Sequence, residues 1–342
     1  MPMLNIFETN AFEAVTLTAA INRLTRQYGL LQQLGIFREQ GVTTTTVALE
    51  DQGDVLNLLQ TVPRGGDAIK NQTGKRKLYH VAIPHNPLED VVLPADVQDK
   101  RRFGSETASE TVFENVVKKL AVMRRKHEIT REYRQWKALE GSIVDADGVE
   151  LLDLYTLLGK SRKAVDFVLG TATTKINDKI EEVLDHIDDN AEGETTEMPI
   201  ALCGKTFWGK FINHAKVERA WDNWNSRSNM LGTDLRKGFE FGGVTWVKHI
   251  GHATWVDDAG ATQTRLFVPD GDVLFVPTGT NDTFLAANAP GDFVDAVNTV
   301  GLPFYARSEP RKFNKGVDIW TESNHMPYVT RPQLVVRGHS SN

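Results

Sequence analysis

The chain has 342 residues, 40% hydrophobic and 25% charged, which is typical of a globular protein with one or two compact units. Its net charge of −6 disfavours a dedicated DNA-binding protein, since such proteins carry excess positive charge. The single cysteine, Cys203, excludes an internal disulfide and a cysteine-based zinc site within one chain. Residues 1–12 lack the features of an export signal and no long apolar run follows, so we expect a soluble protein that stays where it is made.

The first predicted element is a helix that begins near Leu17 and ends near Gly35. Its apolar residues recur every three or four positions. These are Leu17, Ile21, Leu24, Tyr28 and Leu31. The sequence offers no evident partner for this stripe, so we expect the helix to lie on another surface.

A two-stranded ribbon is predicted next. Residues 42–47 and 77–83 favour strands, and the tip between them contains Arg64, Gly65, Gly66 and Asp67. An isolated two-stranded ribbon is marginally stable in water, which favours pairing with another surface. An ordinary hairpin packed on its own domain remains the alternative.

A long helix is predicted over 107–140. Thr107 and Glu110 have capping-box spacing, and Gly141 stands where helices commonly end. One face is apolar, and at 1.5 Å per residue the helix would be roughly 50 Å long. The apolar residues of that face are Val112, Val116, Leu120 and Met123, and we also expect Trp136 to belong to the helix core.

The second half of this helix is rich in charged residues. Its cations are interleaved with Glu128 and Glu132, which favours a solvated face over contact with an acidic partner or nucleic acid. The cations are Arg124, Arg125, Lys126, Arg131, Arg134 and Lys137.

The rest of the chain mixes helices and strands. A hairpin is predicted to turn at Asp147-Gly148, and the polar stretch 191–197 reads as a crossing between domains. Helices are predicted over 174–190 and 207–224, and strands over 199–203, 243–250, 264–268, 273–276, 317–321 and 334–337.

No motif supports catalysis. Gly159-Lys160-Ser161 lacks the upstream glycine of a phosphate-binding loop, since Leu154 occupies that place. Asp145 and Asp147 lack the remaining ligands of a calcium loop. His249 and His252 lie in strand-like surroundings, where a spacing of three places them on opposite faces. We therefore predict no enzyme activity, no metal site and no cofactor.

Three blocks of residues carry a resemblance to a known family. The first runs from Ile83-Pro84-His85 through Leu93-Pro94-Ala95-Asp96 to Phe103-Gly104, and the second from Trp136 through Gly141 to Asp145-Ala146-Asp147-Gly148. The third begins at Asn298-Thr299-Val300-Gly301-Leu302-Pro303 and ends at Val336-Arg337. Over nearly its whole length the sequence resembles the phage major capsid protein E family, the lambda-like head proteins of tailed phages.

This resemblance implies an α+β fold of the Hong Kong ninety-seven type. The implied segments are an N-terminal arm (1–41), an extended loop (42–104), a peripheral domain with the spine helix (105–192), an axial domain (193–300) and a C-terminal return to the peripheral domain (301–342).

The resemblance also implies a structural role. The protein would form pentamers and hexamers of an icosahedral shell around double-stranded DNA, which it would contact without sequence specificity. Its partners would be a separate scaffolding protein, a portal and a decoration protein, with assembly in the host cytoplasm and no membrane contact. The expected contacts between subunits are Arg64, Gly65, Gly66, Asp67 and Tyr79 of the ribbon and Leu17, Ile21 and Leu24 of the arm. A tail or decoration protein, and a phage-encoded hydrolase, are the alternatives.

Overall fold

The computed structural model describes residues 14–23, 29–52, 76–98, 112–145, 148–191, 194–230, 238–256 and 259–342. The chain divides into two compact units. The first comprises Met1–Val47, His80–Arg134 and Ala286–Pro327, and the second Ala48–Tyr79, Gln135–Leu285 and Tyr328–Asn342. Each unit is therefore assembled from segments that are distant in sequence.

The elements mix helices and strands throughout the described chain. The helices are α1 (Ala14–Arg23), α2 (Leu30–Leu34), α3 (Pro94–Val97), α4 (Val112–Leu139), α5 (Leu154–Leu158), α6 (Ile176–Asp189), α7 (Lys205–Ile212) and α8 (Glu218–Met230). The described strands up to residue 153 are β1 (Arg38–Gly41), β2 (Thr46–Gln52), β3 (Arg76–Ala82), β4 (Pro87–Val92), β5 (Ser142–Val144) and β6 (Glu150–Asp153).

In the described residues after β6 there are twelve further strands. They are β7 (Ala164–Asp166), β8 (Glu197–Cys203), β9 (Phe239–Phe241), β10 (Val244–Lys248), β11 (His252–Val256), β12 (Thr262–Leu266), β13 (Asp272–Thr278), β14 (Phe284–Asn288), β15 (Tyr305–Pro310), β16 (Val317–Glu322), β17 (His325–Val329) and β18 (Val336–His339).

The first unit is built on an antiparallel sheet with the order β15–β16–β4. α1 packs on this sheet, where Thr18 Oγ1 donates to the carbonyl of Ala306 at 3.1 Å. The apolar core lies between α1, the sheet and α4. It consists of Leu17, Ile21, Val92, Val116, Leu120, Met123, Phe304, Ala306, Val317 and Ile319.

The second unit is built on a six-stranded sheet with the order β7–β18–β13–β8–β10–β9. β8 pairs with β10 in parallel and with β13 antiparallel, which places β8 inside the sheet. Its core is rich in aromatic residues, and Phe211 and Trp246 stack with ring centroids 3.9 Å apart. α6 and α7 contribute Ile180, Val183 and Phe207 to the same core.

The core of the second unit draws on residues from both sides of the polar stretch 191–197. Phe167 on the chain after β7 and Ile180 on α6 share one core with Trp246 on β10. Residues on both sides of position 193 therefore belong to one compact body, because they bury their apolar side chains together.

Two predicted helices are divided. The stripe from Leu17 to Leu31 is not one continuous helix, because Gly29 has φ 120° at the start of α2. Its end is as predicted, since Gly35 closes α2 with φ 66°, a conformation that glycine adopts readily. The helix predicted over 207–224 consists of α7 and α8, separated by a turn in which His214 Nε2 bonds to the carbonyl of Thr171 at 3.1 Å.

Candidate assembly site

The structure places the expected arm contacts inside the chain. Leu17 and Ile21 are fully buried against α4 and the β15–β16–β4 sheet. The expectation that the stripe has no partner in its own chain is wrong for these two residues, because they pack against β15 and β16, more than 280 residues away. Leu24 lies outside the described residues.

The ribbon is described only in part. β2 and β3 pair as a two-stranded sheet, and Tyr79 on β3 is half-buried. The four tip residues expected to contact neighbours lie outside the described residues. They are Arg64, Gly65, Gly66 and Asp67.

The spine-helix residues lie on α4. Val116 and Leu120 are buried in the first unit. Trp136 is buried in the second unit, where it stacks on His249 with ring centroids 4.8 Å apart. Val112 is the first residue of α4, and only its backbone is described.

Many of the charged residues of α4 are buried, so the predicted solvated face is wrong for them. Arg124 and Glu128 form an ion pair, with Nε 2.7 Å from Oε1 and side chains 5% and 3% exposed. Arg124 also donates from Nη1 to the carbonyl of Ile21 on α1. The pair remains stable inside the unit because both groups keep hydrogen-bonding partners there.

Arg131 holds several segments of the first unit together. Its Nη1 donates to Oδ1 of Asn288 at 3.0 Å and to the carbonyl of Pro303 at 3.3 Å, and its Nη2 pairs with Oε1 of Glu39 at 2.8 Å. The guanidinium groups of Arg124 and Arg131 lie 5.0 and 5.1 Å from the ring centroid of Phe304. Both cations therefore have an aromatic contact as well as oxygen partners.

Two buried histidines accompany these arginines. Burial, followed by the positive charge of Arg131, lowers the pKa of His127 to about 4. Burial, followed by Arg131 and Arg134, also holds the pKa of His325 well below 6.5. Both imidazoles are therefore neutral at pH 7, which leaves the arginines as the cations of this cluster.

An ordered loop between β14 and β15 forms part of the surface of the first unit. Gly301 donates from N to the carbonyl of Val42 at 2.9 Å, and a Cβ at this position would lie 2.0 Å from the carbonyl oxygen of Asn288. Arg307 Nη2 bonds to both carboxylate oxygens of Asp295 at 2.8 and 2.6 Å. The loop is thus fixed to the strands on either side.

This loop exposes apolar side chains beside a groove. Val294, Val297 and Val300 are 95%, 63% and 61% exposed. The groove has a volume of about 480 Å³, and residues of α1, the loop and β15 line it, among them Asn22, Val300, Leu302 and Tyr305. Exposed apolar side chains grouped within one loop favour a protein contact surface.

The described residues contain no group of three or more His, Cys, Asp or Glu side chains placed to hold a metal ion. Among the same residues no helix is long and apolar enough to cross a lipid bilayer.

Comparison with known proteins assigns the chain to a family. The profile of the family described as phage major capsid protein E matches residues 13–340. This chain belongs to the phage major capsid protein E family. It is 31% identical to the major capsid protein of Pseudomonas phage KPP10 over 97% of this chain and 98% of that protein. It is 28% identical to the major capsid protein of Salmonella phage Felix O1 over 98% of each.

Solved structures agree at the level of the fold. A protein assigned as a prophage capsid protein of E. coli CFT073 superposes with a TM-score of 0.57 at 12% identity, covering 96% of this chain and 99% of that one. The family assignment predicted from the sequence, the α+β capsid fold and the role as a major capsid protein are therefore confirmed.

Sequence reasoning missed two features of this capsid protein E family member. The first is the exposed loop. Its valines at 294, 297 and 300 recur every three residues within a segment that is otherwise rich in Gly, Asp and Asn, and this spacing could have indicated an exposed apolar face. The second is the buried cluster of charged residues on α4, whose burial no sequence pattern indicated. Its ion pair has the i, i+4 spacing that is also common on solvated helices.

Proposed function

We propose that the chain assembles with copies of itself into pentamer and hexamer rings and then into a closed icosahedral shell around the double-stranded DNA of a tailed phage. Membership of the major capsid protein E family supports this proposal. The exposed apolar loop around Val294, Val297 and Val300 supports it as well, since it supplies surface that a partner would bury.

The proposal assigns a role to each segment. The arm (1–41) and the extended loop (42–104) contact neighbours, through Tyr79 and the tip residues Arg64, Gly65, Gly66 and Asp67. Segments 105–192 and 301–342 take the peripheral position in the shell and 193–300 the axial position, while residues of both positions share the core of the second unit. The pairing of β2 with β3 as a separate two-stranded sheet supports the assignment of the extended loop.

The remaining partners follow from this role. A scaffolding protein guides closure, a portal occupies one vertex and a decoration protein binds the finished shell, with assembly in the host cytoplasm. The net charge of −6 suits a container that contacts packaged DNA weakly at each subunit.

Sedimentation and negative-stain electron microscopy of the full chain test the proposal. With its scaffolding protein supplied, the chain should form rings and closed particles, whereas bovine serum albumin at the same concentration provides the non-assembling control. A profile that shows only monomer at high concentration with scaffold present would overturn the proposed function.

A further inference from the structure

The groove beside the loop is suited to an inserted side chain. Its volume of about 480 Å³ lies in the range of roughly 300–1,000 Å³ in which pockets hold ligand-sized groups. Asn22 of α1 donates from Nδ2 to the carbonyls of Thr18 and Phe304 at 2.8 and 2.9 Å. Tyr305 Oη accepts from the backbone N of Leu302 at 2.9 Å. Because these polar groups are already bonded, the groove presents mainly apolar surface to an occupant.

A turn elsewhere in the same unit displays an aromatic side chain. Phe313, between β15 and β16, is 89% exposed and therefore does not occupy the groove of its own chain. Its φ is 61°, a left-handed conformation that is unfavourable for a residue with a Cβ. The turn is held by hydrogen bonds from Arg311 N to the carbonyl of Gly316 and from Asn314 N to the carbonyl of Arg311, both at 2.9 Å. Backbone held in such an unfavourable conformation clusters at functional sites, and an exposed aromatic ring supplies apolar surface that a partner can bury.

The charges around the two features are opposite. Lys312 and Lys315 flank Phe313 and are exposed, and Lys315 Nζ lies 5.9 Å from the ring centroid. The loop at the groove carries the exposed carboxylate of Asp292, whereas the charge of Asp295 is paired with Arg307 of the groove. The two lysines of the turn and the Asp292 carboxylate attract each other and orient the approach of two copies.

We propose that Phe313 of one subunit inserts into the groove formed by α1, the loop and β15 of a second copy. The inference rests on the proposed shell assembly and names one contact within it. Within the proposed rings this contact is head-to-tail: each copy inserts its Phe313 into one neighbour and receives the Phe313 of the other, and repeated contacts of this type close into rings.

Substitution of Phe313 tests the contact. Phe313→Asp should raise the concentration needed for assembly at least about tenfold, because a charged side chain cannot enter the apolar groove. Phe313→Trp should assemble like the wild type, since it keeps the aromatic ring. The thermal midpoint of the free Phe313→Asp subunit should stay within error of the wild type, because the side chain is exposed.

The matched control is Val149→Asp, which introduces the same charge at another exposed apolar residue. It should assemble at the wild-type concentration. Two results would overturn the contact and leave the proposed function intact. One is that Phe313→Asp assembles as well as the wild type. The other is that Phe313→Asp and Val149→Asp lose assembly equally. A wild-type chain that never assembles would instead overturn the proposed function together with the contact.

Cross-linking between differently tagged copies gives a second, independent measurement. Phe313→Cys is placed in one copy and Val300→Cys in the other, both with Cys203→Ser, and a short bismaleimide is added to the co-assembled particles. We expect a covalent dimer that carries both tags on a denaturing gel. Copies with only one of the two cysteines should not yield it, and its absence from intact particles of the pair would overturn the contact.

Discussion

In the core of the second unit, Phe167, Phe207, Phe211, Trp246 and Phe275 pack against one another, whereas the interior of the first unit includes Arg124, Arg131, Glu128 and two neutral histidines. The aromatic core is stabilised by apolar burial, which is non-directional and independent of pH. The polar interior requires each charge to keep its partner. The two units should therefore respond differently to truncation and to charge removal.

The largest expected effect is in the aromatic core. Trp246→Ala removes a fully buried ring and its hydrogen bond from Nε1 to the carbonyl of Phe241, 3.0 Å long. We expect a loss of about 4 kcal/mol in the free energy of unfolding, measured by denaturant titration of the subunit. Trp255→Ala, in the two-stranded β11–β12 sheet, is the control and should cost much less. Equal losses would show that the aromatic core is not what stabilises this unit.

Removal of one buried charge should cost slightly less. Arg124→Ala leaves the Glu128 carboxylate buried without its guanidinium, and we expect a loss of about 3 kcal/mol. The double variant Arg124→Met with Glu128→Leu should recover at least half of this loss, because the buried carboxylate is removed together with its guanidinium partner. A double variant that is as unstable as Arg124→Ala would contradict the idea that the carboxylate left without its guanidinium is the main cost.

Acid should weaken the first unit by a smaller amount. His127 stays neutral in the folded chain down to about pH 4, whereas in the unfolded chain it binds a proton below about pH 6.5. Stability is therefore lost as the pH falls from 6.5 towards 4, by about 1 kcal/mol between pH 7 and 5.5 for His127. The lowered pKa of His325 acts in the same direction.

Hydrogen exchange at pH 7 and 5.5 measures this loss in the first unit. The second unit should also weaken in acid, because burial lowers the pKa of its His249 to about 4. His127→Gln should flatten the pH dependence of protection in α4 and the β15–β16–β4 sheet. An unchanged slope in that variant would mean that His127 does not control the response to acid.

The smallest effect is expected for an ion pair on the surface of the second unit. Lys163 Nζ lies 2.9 Å from Oε1 of Glu182, with side chains 34% and 40% exposed. Its hydrogen bond and charge lower the pKa of Glu182, yet solvent screens the pair. Lys163→Ala should change the free energy of unfolding by less than about 1 kcal/mol, and the change should shrink in 0.5 M salt. A loss as large as that of Arg124→Ala would remove the contrast between exposed and buried pairs.

Local patterns predicted most of the second unit. Ile176, Ile180, Val183 and Ile187 recur at helical spacing, and α6 buries all four. The apolar run near Cys203 became β8, an interior strand of the sheet. These predictions succeeded because apolar periodicity directly records which face of an element is buried.

The candidate assembly site was less predictable. The sequence indicated that Leu17 and Ile21 form one apolar face, but it could not show that Ala306 and Ile319 lie against that face. Contacts across nearly 300 residues leave no local pattern. Phe313 and Val294 were also missed, because exposure of an apolar residue is decided by its surroundings and not by its type.

By itself the sequence determined the family, the α+β class, the ribbon and the spine helix, since motifs and periodicity are local properties of the chain. Only the tertiary structure decided that Arg124 and Glu128 are buried. α1 places the carbonyl of Ile21 beside Arg124, and the chain before β15 places the ring of Phe304 beside the same guanidinium. The i, i+4 spacing of Arg124 and Glu128 is the same on a solvated and on a buried helix, because the burial of the pair depends on segments far away in the sequence.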